Sequence, residues 1–162
     1  MEEMILEKKV STSQKNMEAY FATHDVQYVA EDAVFTHMSS GDKTVGREAV
    51  GQMLHYIYHV AFDASAAIKN TIITEDKAVL EIDFIGRHIA EFAGVPANNK
   101  DVNVPTIIVY DLEDGLVKKA RVYMLMDVMM RQLTSWSELY NIIKLDKLQL
   151  FLYMVLEILF FN

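Results

Sequence analysis

The sequence contains no cysteine, only two prolines and only six glycines among its 162 residues. Without cysteine the chain has no disulfide bonds, no thiol nucleophile and no thiolate metal ligands. Its glycines are isolated and form no phosphate-binding loop, and there is neither a nucleophile elbow nor an ordered Ser/His/Asp set. Its histidines and carboxylates show no spacing typical of a metal cluster. We therefore expect neither a metal nor a cofactor.

Positive charge is also scarce. Lysine and arginine number 15 against 23 acidic residues, which gives a formal net charge of -8 and argues against a nucleic-acid partner. The local basic cluster of Lys118, Lys119 and Arg121 alternates along a strand-like run and indicates a solvated face. The N-terminus shows no signal peptide, and a chain without cysteine is compatible with a reducing compartment, so we expect a cytoplasmic protein.

Long apolar runs are confined to the tail. Residues 148–161 are almost wholly apolar, interrupted by Gln149 and Glu157. A helix of this length spans roughly 21 Å, short of the ~30 Å hydrocarbon core of a bilayer, so we do not expect a membrane span. The run favours a helix buried against its own domain or a second subunit, ahead of interfacial membrane contact. We predict one domain over 1–133 and a C-terminal hydrophobic helical extension over 134–162.

The remaining elements follow from hydrophobic periodicity. Met17, Tyr20 and Phe21 share one face of a predicted helix. The predicted helices cover 13–23 and 46–61, and the predicted strands cover 33–38, 66–74, 77–88, 104–112 and 116–128. Asp114-Gly115 marks a tight hairpin turn between the last two strands. The last strand is apolar on both faces, so we expect it to be central and covered on both sides.

Helices first and hairpins afterwards indicate an α+β fold in which the helices lie over one face of a curved antiparallel sheet. Several stretches also resemble the SnoaL-like polyketide cyclases of the nuclear transport factor 2-like superfamily. They are E-D-A-V-F-T-H-M, V-G-R-E-A-V-G-Q-M-L, G-R-H-I-A-E-F-A-G-V-P-A-N-N-K-D-V-N-V-P, Y-D-L-E-D-G and A-R-V-Y…R-Q-L. The resemblance covers about 13–133. The chain departs from it at Asn98-Asn99-Lys100, where members often carry Thr-Gly-Lys, and in the tail that begins at Thr134.

The resemblance implies a cone-shaped bent sheet around a pocket, and a homodimer formed through the sheet. The superfamily holds cyclases, isomerases, dehydratases, epoxide hydrolases and non-catalytic proteins, so fold alone leaves function open. Our first hypothesis is a pocket for a small hydrophobic carbonyl-bearing ligand, with aldol cyclisation, isomerisation or dehydration by acid/base chemistry. The alternative is a non-catalytic binding or oligomerisation module whose pocket is closed by its own tail. A protein-docking domain has the least support.

Two residues are candidate proton carriers. Asp127 lies within M-L-M-D-V-M-M, where strand alternation places it on one face with Tyr123 and Leu125. A carboxylate among apolar residues would have a raised pKa suited to acid/base work, although a frayed strand end also explains it. His37 aligns near the base of the ketosteroid isomerases, and the competing interpretation is a histidine that lines the pocket without chemistry.

Five further residues are candidates for ligand contact. A tyrosine hydroxyl could donate a hydrogen bond into the pocket, although most buried tyrosines serve packing. Phe35 shares a face with His37, and His88 continues an apolar strand face and belongs to the family's G-x-H motif. The predicted ligand-binding residues are Tyr20, Phe35, His88, Tyr110 and Tyr123.

Overall fold

The computed structural model describes residues 2–134. Its helices are α1 (Glu2–Thr23), α2 (Arg47–His55) and α3 (Met126–Leu133), and its strands are β1 (Val29–His37), β2 (Lys43–Val45), β3 (Phe62–Ile73), β4 (Lys77–His88), β5 (Asp101–Glu113) and β6 (Leu116–Met124). A 3₁₀ turn covers Val26–Tyr28, and a π-helical stretch, the π segment, covers Tyr56–Ala61. Residues 135–162 lie outside the described residues, and the predicted C-terminal helix lies among them. Within the described part, no helix is long and apolar enough to cross a membrane.

The two long helices bury the faces that their periodicity predicts. Met17, Tyr20 and Phe21 of α1 are all buried, although α1 begins at Glu2 and is longer than predicted. On α2 the buried residue is Val50. The predicted helix over 46–61 is α-helical only to His55 and continues as the π segment.

The six strands form one curved, open sheet in the order β2-β1-β6-β5-β4-β3. Strands β3 to β6 pair antiparallel in sequence order, as predicted. Strand β1 pairs parallel to β6, with Phe35 opposite Ala120, and periodicity did not predict this pairing. The α+β class with helices over a curved sheet is confirmed, and β6 is central as expected.

The expectation that β6 is covered on both faces is wrong. Its inner face buries Ala120 and Met124, whereas Tyr123 on the outer face is 45% exposed. The neighbouring Arg121 makes a two-pronged ion pair with Asp111 of β5, at 2.6 and 3.0 Å. The basic cluster on this strand is therefore a solvated, ion-paired face, as its alternation indicated.

The hairpin between β5 and β6 turns where predicted. Asp114 and Gly115 both have positive φ, 51° and 74°, which a two-residue turn of this hand requires. Strand β5 begins at Asp101, earlier than predicted, so Pro105 lies inside it. The carbonyl of Pro105 accepts a hydrogen bond from the backbone of Leu125, on the side where β6 has just ended at Met124. Proline has no backbone N–H to donate, but β6 has already ended on this side of Pro105, so no hydrogen bond between strands is lost.

The interior contains two clusters of buried side chains. The cavity cluster lies beneath α1 and α2 and is centred on Tyr20 and Tyr110. The α3 cluster lies at the other end of the sheet, where Phe62 and Phe84 pack with Met129 of α3. Tyr58 of the π segment packs against the α3 cluster and also lines the cavity. The functional question centres on the cavity.

Candidate functional site

A cavity of about 60 Å³ lies between the inner face of the sheet, α1, α2 and the π segment. It holds roughly four to six water molecules, far fewer than a pocket for a drug-sized ligand. Most of its wall is apolar: Phe35, Met53, Leu54, Ile57, Leu80, Ile82, Phe84, Ile108, Val122 and Met124. The polar residues on its wall are Tyr20, His24, His37, Tyr58, Thr106 and Tyr110.

Three tyrosines place phenol groups at this cavity. Tyr20 and Tyr110 are 1% and 4% exposed, and their rings meet edge to face with centroids 6.0 Å apart. Tyr58 completes the group from the π segment. Within the described residues, none of the three hydroxyls hydrogen-bonds to protein. A buried hydroxyl normally has a partner, so hydroxyls that line a cavity are poised to bind its contents.

Burial controls the charge of these tyrosines. It raises the pKa of Tyr58 to about 12 and holds that of Tyr110 well above its usual range. Burial, with a smaller contribution from Tyr58, also raises the pKa of Tyr20. All three phenols are neutral at physiological pH, as an unperturbed phenol also is, and burial keeps them neutral to higher pH; each can donate a hydrogen bond. Three donors in an apolar wall suit an oxygen that carries, or acquires, negative charge.

Two histidines lie at the same cavity. His37, at the end of β1, is half-buried, and its backbone N–H donates to the carbonyl of Asp42. His24 follows the last turn of α1, and its ring lies 4.5 Å from the ring of Tyr58 and 5.9 Å from that of Tyr20. Burial, and then the nearby His59, lower the pKa of His24. Its imidazole is therefore neutral at physiological pH, and its unprotonated ring nitrogen can accept a hydrogen bond.

The backbone of His24 is strained. Its φ of 53° is left-handed, a conformation that favours glycine at the end of a helix. A side chain there costs about 1–2 kcal/mol. Strained residues concentrate at functional sites, and here the strain directs an imidazole ring onto the cavity.

The sequence profile of the SnoaL-like polyketide cyclases matches residues 14–133. The chain belongs to this family. Among curated proteins, none matches the sequence.

Solved structures agree on the fold. The SnoaL-like chain superimposes on a proposed SnoaL-like polyketide cyclase from Jannaschia sp. CCS1 with a TM-score of 0.69 and 16% identity, over 77% of this chain and 93% of that one. TsrD from Streptomyces laurentii gives a TM-score of 0.61 and 22% identity, over 78% and 95%. A Catenulispora acidiphila protein with a ketosteroid isomerase-like fold, solved with trimethylamine, gives a TM-score of 0.54 and 15% identity, over 67% of this chain and 78% of that one. At these identities the likeness concerns the fold alone.

Four of the seven predicted site residues line the cavity of this SnoaL-like protein: Tyr20, Phe35, His37 and Tyr110. Each was placed by a pattern that the fold preserves. Tyr20 lies on the buried stripe of α1, and the others alternate inward along β1 and β5.

The strand placement of Asp127 is wrong. Strand β6 ends at Met124, and Asp127 lies in the first turn of α3, where its side chain is 68% exposed and pairs with Arg131 at 2.9 Å. A negative charge at a helix N-terminus, four residues before an arginine, is favourable in water. The carboxylate therefore lies outside the apolar setting that suggested catalysis.

Tyr123 and His88 also lie away from the cavity. Tyr123 lies on the outer face of the sheet, and it is exposed because β6 is covered on its inner face only. His88 is 0% exposed and packs on Phe62 in the α3 cluster. Its Nδ1 lies 3.1 Å from Oδ1 of Asn98, whose amide in turn donates to the carbonyl of Leu133. This arrangement joins β4 to the end of α3 and indicates a structural role for the G-x-H histidine.

His24, Tyr58 and Thr106 are cavity residues that the sequence interpretation missed. Tyr20 and His24 are spaced i, i+4, so the stripe of α1 carried a usable signal for His24. Thr106 shares the inward alternation of Ile108 and Tyr110. Tyr58 lies four residues after Leu54 and eight after Val50, so the apolar stripe of the predicted 46–61 helix carried a usable signal for it as well. Within the described part of the chain, no group of three or more residues has the arrangement of a metal site.

Proposed function

We propose that this protein binds a small apolar compound bearing a carbonyl group and acts on it by cofactor-independent acid/base chemistry. The observation that carries the proposal is the set of three neutral tyrosine hydroxyls that line an apolar cavity without a hydrogen-bond partner in the described protein. Carbonyl oxygen is an acceptor only, so it complements a wall of donors.

The residues divide by role. The hydroxyls of Tyr20 and Tyr110 donate to the carbonyl oxygen and stabilise the negative charge that develops there when a proton leaves the α-carbon. His37 takes that proton and returns it elsewhere on the substrate, a cycle that serves isomerisation, dehydration or aldol cyclisation. Phe35 forms part of the apolar wall. Asp127, Tyr123 and His88 have no part in this proposal.

Membership of the SnoaL-like family supports this class of chemistry, and one structural relative is a proposed polyketide cyclase. The small volume of the cavity supports the second candidate, a binding module without catalysis. Binding of a ketone without any proton exchange would select that candidate.

The binding experiment uses 1-tetralone, a bicyclic aromatic ketone whose ultraviolet absorption shifts when its carbonyl accepts a hydrogen bond. Losing the partner of a buried polar group costs about 1–3 kcal/mol, so Tyr20→Phe and Tyr110→Phe should each weaken binding by roughly 5- to 150-fold and reduce the shift. Tyr123→Phe is the control, because it removes the same hydroxyl from the outer face. Equal affinity in all three variants would exclude the tyrosine wall as the binding site.

The catalytic experiment follows exchange of the α-protons of 1-tetralone for deuterium in D₂O by NMR. His37→Gln should slow exchange by about 10²–10⁴-fold, the usual contribution of a general base. His55→Gln is the control, since His55 is an exposed histidine of α2. Exchange unchanged in His37→Gln would remove His37 from the mechanism.

The outer face of the sheet supports a further proposal, a homodimer. Ile107, Tyr123 and Leu125 are each 44–48% exposed on this side, and an apolar sheet face in water favours association. Light scattering should give twice the chain mass for the native protein and a lower mass for Ile107→Glu. A native protein of single-chain mass would reject the dimer.

A further inference from the structure

Tyr58 occupies a defined position among aromatic rings. Its ring lies 4.5 Å from that of His24, tilted by 37°, and meets Phe84 edge to face at 5.4 Å. Both distances lie in the range that aromatic pairs prefer. We call the space held by the Tyr58 ring, with His24 and Phe84 as its walls, the ring slot. It adjoins the cavity, because all three residues also line the cavity.

The wall that carries Tyr58 is an exposed side of the cavity. The sheet residues Leu80, Ile82 and Phe84 are buried, whereas Met53, Leu54, Ile57 and Tyr58, from α2 and the π segment, are only half-buried. The wall that carries Tyr58 is therefore one route by which a ligand can enter from solvent, beside the half-buried His24, His37 and Val122. Short π-helical stretches are rare in proteins as a whole, but those that occur often lie at functional sites.

The Tyr58 side chain is held in the slot by its ring contacts. No hydrogen bond joins its hydroxyl to another described residue. The neighbouring Tyr56 hydroxyl, by contrast, donates to the carbonyl of Glu91 at 2.7 Å, and the carbonyl of Ala61 accepts from Ile89 and Ala90. The π segment is thus held at both ends, while Tyr58 is retained by ring contacts alone.

We propose that Tyr58 is a replaceable plug: a planar unsaturated ring of the ligand displaces it and stacks in the ring slot against His24 and Phe84. This inference rests on the proposed function and assigns it a substrate class, aromatic or conjugated ketones rather than saturated ones. The cavity alone is too small for such a ring, and the slot supplies a flat-walled extension next to the tyrosine donors. Aromatic walls favour a planar unsaturated ring beyond the gain from burial alone.

The test compares 1-tetralone with 1-decalone, which has the same bicyclic skeleton and carbonyl but no aromatic ring. Isothermal titration with the native protein should give about tenfold tighter binding of 1-tetralone. Tyr58→Ala, which empties the slot, should raise the association rate of 1-tetralone at least tenfold in stopped-flow measurements. His24→Leu should remove most of the preference for 1-tetralone over 1-decalone. Val60→Ala, an exposed change in the same segment, should leave rate and preference unchanged.

The outcomes separate the two proposals. Equal affinity of the native protein for both ketones, or preference unchanged in His24→Leu, overturns the ring slot and leaves the carbonyl site standing. Failure of both ketones to bind overturns the carbonyl site and the slot together. Because Tyr58→Ala removes a packed ring, Tyr58→Leu is measured beside it. The ketone comparison in the native protein needs no variant and decides the case if both variants fail to fold.

Discussion

The two buried clusters of this protein differ in how their polar side chains are partnered. In the α3 cluster, Asn98 uses both ends of its amide, so that β4, the following loop and the end of α3 are joined, while Nε2 of His88, whose Nδ1 faces Asn98, is buried without a partner among the described residues and away from the cavity. In the cavity cluster, the hydroxyls of Tyr20 and Tyr110 line a space without a partner among the described residues. A satisfied polar group stabilises a fold, whereas an unsatisfied one at a cavity can bind a ligand. The comparison assigns stability to one end of the sheet and chemistry to the other.

The largest effect is expected from Phe62→Ala in the α3 cluster. Phe62 is fully buried and contacts the rings of Phe84, His88 and Phe92, so its loss should lower the free energy of unfolding by about 3–5 kcal/mol. Urea unfolding followed by circular dichroism measures it. Val45→Ala, on the edge strand β2 where Val45 is 61% exposed, is the control, with an expected change within about 0.5 kcal/mol. If Phe62→Ala lowers the free energy of unfolding by less than about 1 kcal/mol, the α3 cluster is not the part of the protein that stabilises the fold.

Asn98→Ala should have the next largest effect. It leaves Nδ1 of the buried His88 without its partner, at an expected cost of about 1–3 kcal/mol in the free energy of unfolding. Asn103→Ala, an exposed asparagine on β5, serves as the matched control. If the two variants unfold at the same urea concentration, the link between β4 and α3 adds nothing to stability.

A smaller effect should come from acid acting on the cavity cluster. The folded protein lowers the pKa of His24 through burial and the nearby His59, so below the unfolded value of ~6.5 the unfolded chain binds more protons than the folded one. Stability should therefore be complete above pH ~6.5 and decline as pH falls below it. Thermal unfolding between pH 7 and 5 should show this slope in the native protein and a flatter one in His24→Gln. His55→Gln, an exposed histidine, should keep the native slope, and the inference fails if His24→Gln keeps it too.

The smallest effect is expected from Tyr110→Phe. Its hydroxyl has no protein partner in the described structure, so removing it should change the free energy of unfolding by no more than about 0.5 kcal/mol, even though Tyr110 is 4% exposed. This stability test is independent of the ligand test on the same variant. A cost above about 1 kcal/mol would show that the hydroxyl stabilises the fold, and the contrast between the two clusters would be lost.

Much of this architecture was predictable because its signals are local. The stripe of Met17, Tyr20 and Phe21 predicts which face of α1 is buried, and Asp114-Gly115 predicts the β5–β6 turn. Alternation along β1 and β5 predicts that Phe35 and Tyr110 point inward. Each of these signals depends on the period of one element and on nothing distant in the chain.

The errors share a different cause. Asp127 was assigned to a strand because apolar residues surround it in sequence, yet the chain leaves the sheet after Met124 and the carboxylate reaches solvent. His88 was assigned to the pocket because it shares a face with Phe84, yet it lies four residues further along β4, where its ring packs on Phe62 and its Nδ1 lies 3.1 Å from Oδ1 of Asn98. Apolar neighbours in sequence do not reveal which partner covers them.

Local sequence patterns predict the class of fold, the helices α1 and α2 and the antiparallel run from β3 to β6, because periodicity and turn chemistry act over a few residues. They do not predict β2, the helical state of α3 or which inward side chains share a cavity, since the curvature of the sheet brings together residues remote in sequence. That is why Tyr20, Tyr58 and Tyr110, from three separate elements, become one group of hydrogen-bond donors only in the folded protein.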